Sequence, residues 1–250
     1  MKAHRAIVVA ALGTTQTVAW ASSYYMPAIL GAPIAGALHL PTSVFFGLFS
    51  GALLLSAVVG PSVGRLIDRH GGRVLLATSN LVIAAGLVIL AAAHGIAGLV
   101  IAWAVLGVGI GMGLYDPAFA ALTWLYGREA RSSITGITLI AGFASTIGWP
   151  MSAVFLHEFG WRAACLIWAG LNLLLAAPLN WLSIPRDGTP TGLMPALQNC
   201  RKPNRRVRRC QSWPSFSPLP GSCRERWRHI CRACCRRRVH PRPRQSPLRR

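Results

Sequence analysis

Charged side chains are scarce in the first 186 residues, so the few that lie inside apolar stretches are candidates for chemistry. Asp116 is the only acid deep within such a stretch, about two-thirds of the way across a span that begins at Gly98. A carboxyl group placed in lipid is costly, and it therefore marks a function or a partner. Two interpretations stay open: reversible protonation, as in proton coupling, or pairing with Arg128, Arg131 or a helix end near the cytoplasmic face.

The first apolar stretch carries a second candidate group, made of polar and aromatic side chains. Gln16, Trp20 and Tyr24 are spaced i, i+4 and i+8, so they share one face of a helix. An amide, an indole and a phenol on one face offer hydrogen bonds and stacking, as a mostly apolar ligand pocket does. For Tyr24 and Tyr25 the alternative is an aromatic belt at the membrane interface. Together with Asp116, the three residues of this face are the candidates for a substrate cavity.

The segment Gly64–Arg73 lies between two apolar runs and holds four charges within ten positions. Basic residues at the end of a membrane span remain on the cytoplasmic side. Gly71 and Gly72 can adopt the left-handed backbone that ends a helix and reverses the chain. The segment therefore predicts a short cytoplasmic loop between two membrane helices.

This loop resembles the one between helices two and three of the major facilitator superfamily of transporters, which is written G-x-L-A-D-R-x-G-R-K-x-x-L. The residues that fall in register are Gly64, Leu66, Asp68, Arg69, Gly71, Arg73 and Leu76. Ile67 and Gly72 depart from the pattern, and Gly72 stands where an Arg is usual. The basic segment 127–131 resembles the loop that follows helix four in the same family.

The resemblance implies roles for both loops. Asp68 is expected to dock against a helix end of an opposite bundle when the cytoplasmic side is closed, where a helix N-terminus attracts a carboxylate. Within the chain, Asp68 is expected to bond to Arg128 or Arg131, because both loops are predicted to emerge on the same face. The candidates for this gating function are Gly64, Asp68, Arg69, Gly71, Arg73, Arg128 and Arg131. The family often carries an Arg early in helix four that is implicated in proton coupling. Trp103 holds that place here, which weakens the coupling interpretation.

Four glycines alternate in the fourth apolar stretch, at positions 107, 109, 111 and 113. They do not form a nucleotide-binding loop, because Met112 takes the sixth place of G-x-G-x-x-G and no strand precedes it. Glycines at i and i+4 instead predict a smooth face against which another helix packs closely.

Apolar stretches set the predicted architecture. The chain is 53% hydrophobic and 13% charged, well below the roughly 25% charge of soluble domains. Six stretches are long enough to cross a bilayer: Ala6–Leu30, Val44–Leu66, Val74–Ala93, Gly98–Trp124, Ile134–Phe155 and Ala163–Leu182. The prediction is an all-α membrane protein, a six-transmembrane-helix bundle over residues 1–186 that the resemblance divides into two inverted three-helix repeats.

The distribution of cations predicts the orientation of these spans. With the N-terminus inside, Arg162 is the only Lys or Arg of residues 1–186 on the outer side. The cytoplasmic ones are Lys2, Arg5, Arg65, Arg69, Arg73, Arg128, Arg131 and Arg186. This bias predicts a multi-pass protein of the cytoplasmic membrane with both termini cytoplasmic.

Residues 187–250 have a different composition, rich in Arg, Pro, Ser and Cys, with seventeen Lys or Arg and two acids. Such a segment cannot bury a core and is expected to be disordered. Three explanations stay open: a basic tail that binds anionic lipid, an arm that binds nucleic acid, or out-of-frame translation. Nucleic acid is not the expected partner. Neither a metal nor a cofactor is expected, because Cys231, Cys234 and Cys235 lack a second ligand pair at zinc spacing.

Catalytic motifs are missing from the sequence, so the chain is not expected to be an enzyme. The resemblance implies secondary active transport of a small-molecule substrate across the lipid bilayer by alternating access, with protons as a candidate coupling ion. The resemblance covers about half of a twelve-helix transporter. An isolated half is therefore expected to be inactive without a homodimer partner or a missing second half. The alternative is a membrane protein that does not transport and whose basic tail binds lipid or nucleic acid.

Overall fold

The computed structural model of the chain describes residues 2–127 and 130–184, without the side chains of residues 2–5 and 70. The described residues lie in the first of two compact units, Met1–Asn199. The predicted basic tail, residues 187–250, lies outside them. The described part is helical and contains nine α-helices: α1 Lys2–Trp20, α2 Met26–Ala37, α3 Thr42–His70, α4 Arg73–Ala91, α5 Ile96–Gly113, α6 Tyr115–Tyr126, α7 Ala130–Ala141, α8 Ala144–Leu171 and α9 Ala177–Ser183.

Helices are the expected solution for this sequence, because lipid offers no partner for backbone N–H and C=O groups. Four helical stretches are long and apolar enough to cross a membrane: Thr42–Arg69, Arg73–Ala91, Ile96–Tyr126 and Ala130–Ser183. The first helical stretch, from Lys2 to Ala37, is not among these four of the described part. Its centre carries Thr14, Thr15, Gln16 and Thr17, which lower its mean hydropathy.

The end of the first stretch corrects a prediction. We expected a helix to Leu30 and an outer linker from Gly31 to Ser43, but α2 continues to Ala37 and only residues 38–41 connect it to α3. The physical reason is burial, since Gly31, Ile34 and Ala35 are buried in the core. Gly31 packs closely on Phe45, 2.9 Å from where a Cβ would stand. The other predicted spans overlap the observed helices.

The helix α4 lies at the centre of the described bundle. Its apolar window is 61% buried, whereas the window of α3 is 11% buried. One core cluster joins α4 to α2, α3, α5 and α8, with Phe45, Trp103 and Trp168 as its largest buried side chains. Since lipid is as apolar as these side chains, close packing rather than exclusion of water holds the helices together.

The alternating glycines of α5 pack on two different helices. A Cβ at Gly107 or Gly111 would stand 2.7–2.8 Å from backbone oxygens of Ala52 and Ser56 in α3. Gly109 lies equally close to Ile83 of α4. The predicted packing role is confirmed, with each i, i+4 pair giving one helix its close approach.

Two π-helical turns interrupt the helices, at Ala21–Tyr25 and at Asn172–Ala176. They are joined by a buried hydrogen bond in which Asn172 Nδ2 donates to Ser22 Oγ at 2.9 Å. A second buried link runs from Thr15 Oγ1 to Asn180 Oδ1, also 2.9 Å. These bonds fix the first helical stretch against the last one of the described bundle.

Candidate functional site

A cleft of about 660 Å³ lies between three helical stretches of the bundle. This volume is within the range of small-molecule sites, about 300–1,000 Å³. The first stretch contributes aromatic rings, α3 contributes a run of small residues, and the junction of α5 and α6 contributes the polar end. The lining residues are Trp20, Tyr24, Leu53, Ser56, Ala57, Gly60, Pro61, Gly64, Ile110, Gly111, Leu114, Tyr115, Asp116 and Pro117.

Three of the four predicted cavity residues line this cleft: Trp20, Tyr24 and Asp116. The fourth, Gln16, is not in the lining. It lies on the same face of α1 as Trp20, one turn earlier, but it is buried with 1% of its surface exposed. Gln16 is therefore a structural support next to the cleft in this structure, and its place in a substrate cavity stays a prediction.

The support that Gln16 provides follows from Pro117. In an unbroken helix the N–H of residue 117 would bond to the carbonyl of Gly113, but proline has no N–H. Gln16 Nε2 donates to that freed Gly113 carbonyl at 2.7 Å. The hydrogen bond satisfies a buried backbone acceptor whose desolvation would otherwise be costly. Gln16 thus holds the first stretch against the break between α5 and α6.

The break itself places Asp116. Leu114 has a ψ of −158°, so α5 ends at Gly113 and α6 begins at Tyr115. Asp116 lies in the first turn of α6 and is exposed. The N-terminus of a helix stabilises a carboxylate through its dipole and free N–H groups. The geometry therefore presents an exposed negative charge at the edge of the cleft.

The alternative to a function for Asp116 was pairing with Arg128, Arg131 or a helix end. Arg128 lies outside the described residues. Among the described residues, Asp116 forms no ion pair with Arg131. Pairing with a helix end agrees with the position of Asp116 in the first turn of α6.

Aromatic rings form the wall opposite the small residues of α3. Trp20 lies at the centre, with ring centroids 5.1 Å from Tyr24 and 4.8 Å from Tyr115. Tyr115 in turn stacks on Phe119 at 5.2 Å with an interplanar angle of 11°. The indole Nε1 of Trp20 is buried and has no hydrogen-bond partner among the described residues. The wall thus holds one unused donor.

Tyr115 lines the cleft but was not predicted as a lining residue from the sequence. The signal was available, because Pro117 predicts a helix break near residue 113 and a new helix start just before Asp116. The π-helical turn at Ala21–Tyr25, which adjoins Trp20, has no comparable signal in the sequence.

Gly64 belongs to the predicted loop but lies within α3 and lines the cleft. Apart from its chain neighbours and the backbone of its own helix, no atom lies within 4 Å of the place where its Cβ would stand. The cleft therefore has free space at this position.

The two glycines after α3 have separate tasks. Gly71 has a φ of 80°, a left-handed value that favours glycine, and its N–H donates to the Ile67 carbonyl at 2.8 Å. This is the helix end predicted from the sequence. Gly72 has an ordinary backbone, but a Cβ there would collide with Ala121 of α6. The departure from the usual Arg therefore has a steric reason.

The charged side chains of the loop differ in their surroundings. Asp68 and Arg69 are exposed, whereas the Arg73 guanidinium lies 4.7 Å from the ring centroid of Trp181 in α9. We expected Asp68 to bond to Arg128 or Arg131. Arg128 lies outside the described residues, and within them Asp68 and Arg131 form no ion pair. Asp68 is thus presented to its surroundings rather than held by Arg131.

Trp103, which stands where the resemblance places an Arg, is 1% exposed. Its ring contacts Phe45 and Phe49 of α3, with centroids 5.4 and 5.1 Å apart. It is not in the lining of the cleft. The residue fills the core between α3 and α5.

Comparison with known proteins adds one match to this geometry. A sequence model of the family described as Major Facilitator Superfamily matches residues 11–233. A comparison with curated proteins found no match.

Proposed function

We propose a secondary transport function for this chain, which belongs to the Major Facilitator Superfamily, a family of multi-pass membrane transporters. In this proposal the cleft is part of the pathway of a small solute and is exposed alternately to the two sides of the membrane. The observation that carries the proposal is the cleft itself: it joins Trp20, Tyr24 and Asp116 inside a bundle of apolar helices. A carboxylate in such a bundle is retained where it faces water or a ligand.

We further propose six spans with both ends cytoplasmic. The stretch Ala130–Ser183 has 54 residues. A straight helix of that length would be about 80 Å long, against a hydrocarbon core of about 30 Å. Gly160, with a φ of 78°, divides the stretch into two segments of spanning length. With the stretch from Lys2 to Ala37 and the three others, this gives six spans as two three-helix repeats.

The position of the cleft across the membrane also supports its function as a pathway. On α3 it extends from Leu53 to Gly64, which is about 16 Å along a helix axis. In the proposed orientation Thr42 is at the outer end of α3 and His70 at the cytoplasmic end. The cleft then extends from the middle of the membrane, where transporters of this architecture bind their substrates, towards the cytoplasm.

The helix α3 is mostly exposed, so the side of the cleft that it forms must be covered by something outside the described bundle. Asp116 and Ala57 are exposed at the edge and wall of the cleft. Lipid tails cannot solvate a carboxylate, so protein or water must cover this side in the membrane. We propose a second bundle, either another copy of the chain or a separate half. Alternating access also needs two bodies that move against each other, and the described bundle supplies one.

The gating function of the loop remains part of the proposal. Asp68 is exposed on the proposed cytoplasmic face. Asp68 forms no ion pair with Arg131, so its carboxylate can bind to a helix N-terminus of the covering bundle, where the helix dipole stabilises a negative charge. Arg73 is fixed on Trp181 and would hold the loop in place.

Reconstitution in liposomes tests this function. The purified chain is inserted at low and at high protein density, and the uptake of a panel of radiolabelled small cations, anions and neutral solutes is measured. We expect saturable uptake of one class that rises with the square of protein density, and no uptake by isolated monomers.

Two tryptophan variants on one helix provide the matched comparison. Gly64→Trp places a ring in the free space of the cleft, whereas Gly51→Trp places the same ring on an exposed surface outside the lining. We expect the first to abolish uptake and the second to retain it. Equal activity of both variants would refute the cleft as the pathway, whereas saturable uptake by monomers would refute the second bundle.

A further inference from the structure

The charges around the cleft are of one sign. In the described part of the chain, the lining contains Asp116 and no Lys, Arg or His. The carboxylate is exposed and lies in the first turn of α6, where the helix stabilises its negative charge. An anionic solute would meet this charge without any compensating cation, so the lining disfavours anions.

The remaining wall complements a positive charge in a second way. Trp20 contacts both Tyr24 and Tyr115, so three aromatic rings lie together in the lining. The faces of such rings carry negative potential and attract cations, with tryptophan the strongest. The other lining residues are mostly aliphatic or glycine, which suits carbon rather than water around that charge.

We propose that the cleft binds an organic cation: one positive charge shielded by alkyl or aryl groups, held between the Asp116 carboxylate and the rings of Trp20, Tyr24 and Tyr115. The inference rests on the proposed transport function and names its substrate class. A bare metal cation fits less well, because the lining offers two carboxylate oxygens where hard cations take six or more oxygen ligands. The Nε1–H of Trp20 is buried and does not bind the cation.

A pair of ions that differ in sign but not in shape tests the inference. The full chain is purified in detergent, and the dissociation constants of tetraphenylphosphonium and tetraphenylborate are measured in separate equilibrium dialysis experiments, since the two ions associate with each other. We expect saturable binding of the phosphonium at one site per chain and none of the borate.

Three variants locate the binding. Asp116→Asn keeps the shape and removes the charge, and it should raise the dissociation constant of tetraphenylphosphonium at least about tenfold. Trp20→Leu should raise it about three- to tenfold through loss of the cation–π contact. The control Glu158→Gln changes an exposed acid that pairs with His157 outside the lining, and it should leave the constant within twofold. Equal thermal unfolding of the variants excludes misfolding as the cause.

Contrary results separate this inference from the function on which it rests. Binding of tetraphenylborate that depends on Trp20, without binding of the phosphonium, overturns the cation class and leaves a ligand cleft in place. Phosphonium binding that Asp116→Asn leaves unchanged overturns the assignment to the carboxylate. If neither ion binds, the cation inference fails, while the water access of the cleft, measured without any ligand, decides the transport proposal.

Discussion

At the scale of single residues, the predicted and the observed roles differ most at Gln16. Trp20 and Asp116 could be predicted as cleft residues from the sequence, because Trp20 shares a helical face with other polar and aromatic side chains and a carboxyl deep in an apolar stretch is rare. The amide of Gln16 has the same rarity but a structural partner, the Gly113 carbonyl 97 residues away. That partner exists because of Pro117 and because α1 lies against the α5–α6 junction. Spacing along one helix cannot reveal such a tertiary contact.

A double-mutant cycle tests the support at the helix break. Gln16→Leu leaves the Gly113 carbonyl without a donor and should lower the free energy of unfolding by about 1–3 kcal/mol. Part of that loss is offset, because Gln16 Oε1 has no partner among the described residues and is removed as well. In a Pro117→Ala background α5 and α6 can join into one helix, in which the N–H of residue 117 bonds to this carbonyl, so the same substitution should cost about 1 kcal/mol less. Denaturant titration in detergent measures all four proteins.

Thr14→Val is the control for this cycle. Thr14 is exposed and its hydroxyl bonds within its own helix to the Ala10 carbonyl at 3.0 Å. We expect a change of less than about 0.5 kcal/mol. If Gln16→Leu cost the same with Pro117 and with Ala at position 117, the support by Gln16 would have another origin.

At the scale of elements, the existence of the helices could be predicted and their interruptions could not. Length and apolar character predicted the helical stretches, and the charged segment 64–73 predicted a chain reversal whose left-handed Gly71 is observed. The π-helical turns depend on buried contacts such as Asn172 with Ser22, which join distant parts of the chain. The extension of α2 to Ala37 likewise depends on burial against α3. The helix propensity of a local segment does not predict contacts with distant parts of the chain.

The loop after α3 gives a prediction at this scale. Gly72→Ala forces a methyl group into Ala121, so we expect a loss of stability of about 1–3 kcal/mol. Ala121→Gly should restore most of it in the double variant, since it removes the colliding atom. The thermal unfolding temperature in detergent reports both effects.

Gly36→Ala provides the reference for the loop. Gly36 lies inside α2, and apart from its chain neighbours and the backbone of its own helix no atom lies within 4 Å of its Cβ position, so the substitution should be neutral or stabilising by up to about 1 kcal/mol. A Gly72→Ala variant as stable as Gly36→Ala would show that α6 does not press on the loop.

At the scale of the whole molecule, the sequence predicted a membrane bundle and an orientation, and family membership supports the first of these. The single cation assigned to the outer side, Arg162, has a structural use: its guanidinium donates to the Ala91 and Ala93 carbonyls at 2.7 and 3.2 Å. It thus caps the end of α4, which explains a cation against the general bias. The face left uncovered on α3 could not be predicted from composition, because lipid-facing and partner-facing apolar residues look alike.

Topology is the first prediction at this scale. Single cysteines are introduced at Ser43 and at His70, at opposite ends of α3, in a chain whose seven native cysteines are replaced. In intact cells, a membrane-impermeant maleimide should label position 43 and should reach position 70 only after the cells are opened. The reverse labelling pattern would contradict the orientation that the eight-to-one distribution of cations predicts.

The measurement that most directly tests the central claim, that the cleft is a water-filled solute pathway, compares two neighbouring positions of α3. Ala57 lines the cleft, whereas Val58 lies outside the lining with 75% of its surface exposed. In the membrane, Ala57→Cys should react with a charged methanethiosulfonate at least about tenfold faster than Val58→Cys, because the reagent and the reactive thiolate both require water. Equally slow reaction at both positions, or faster reaction at position 58, would contradict the account.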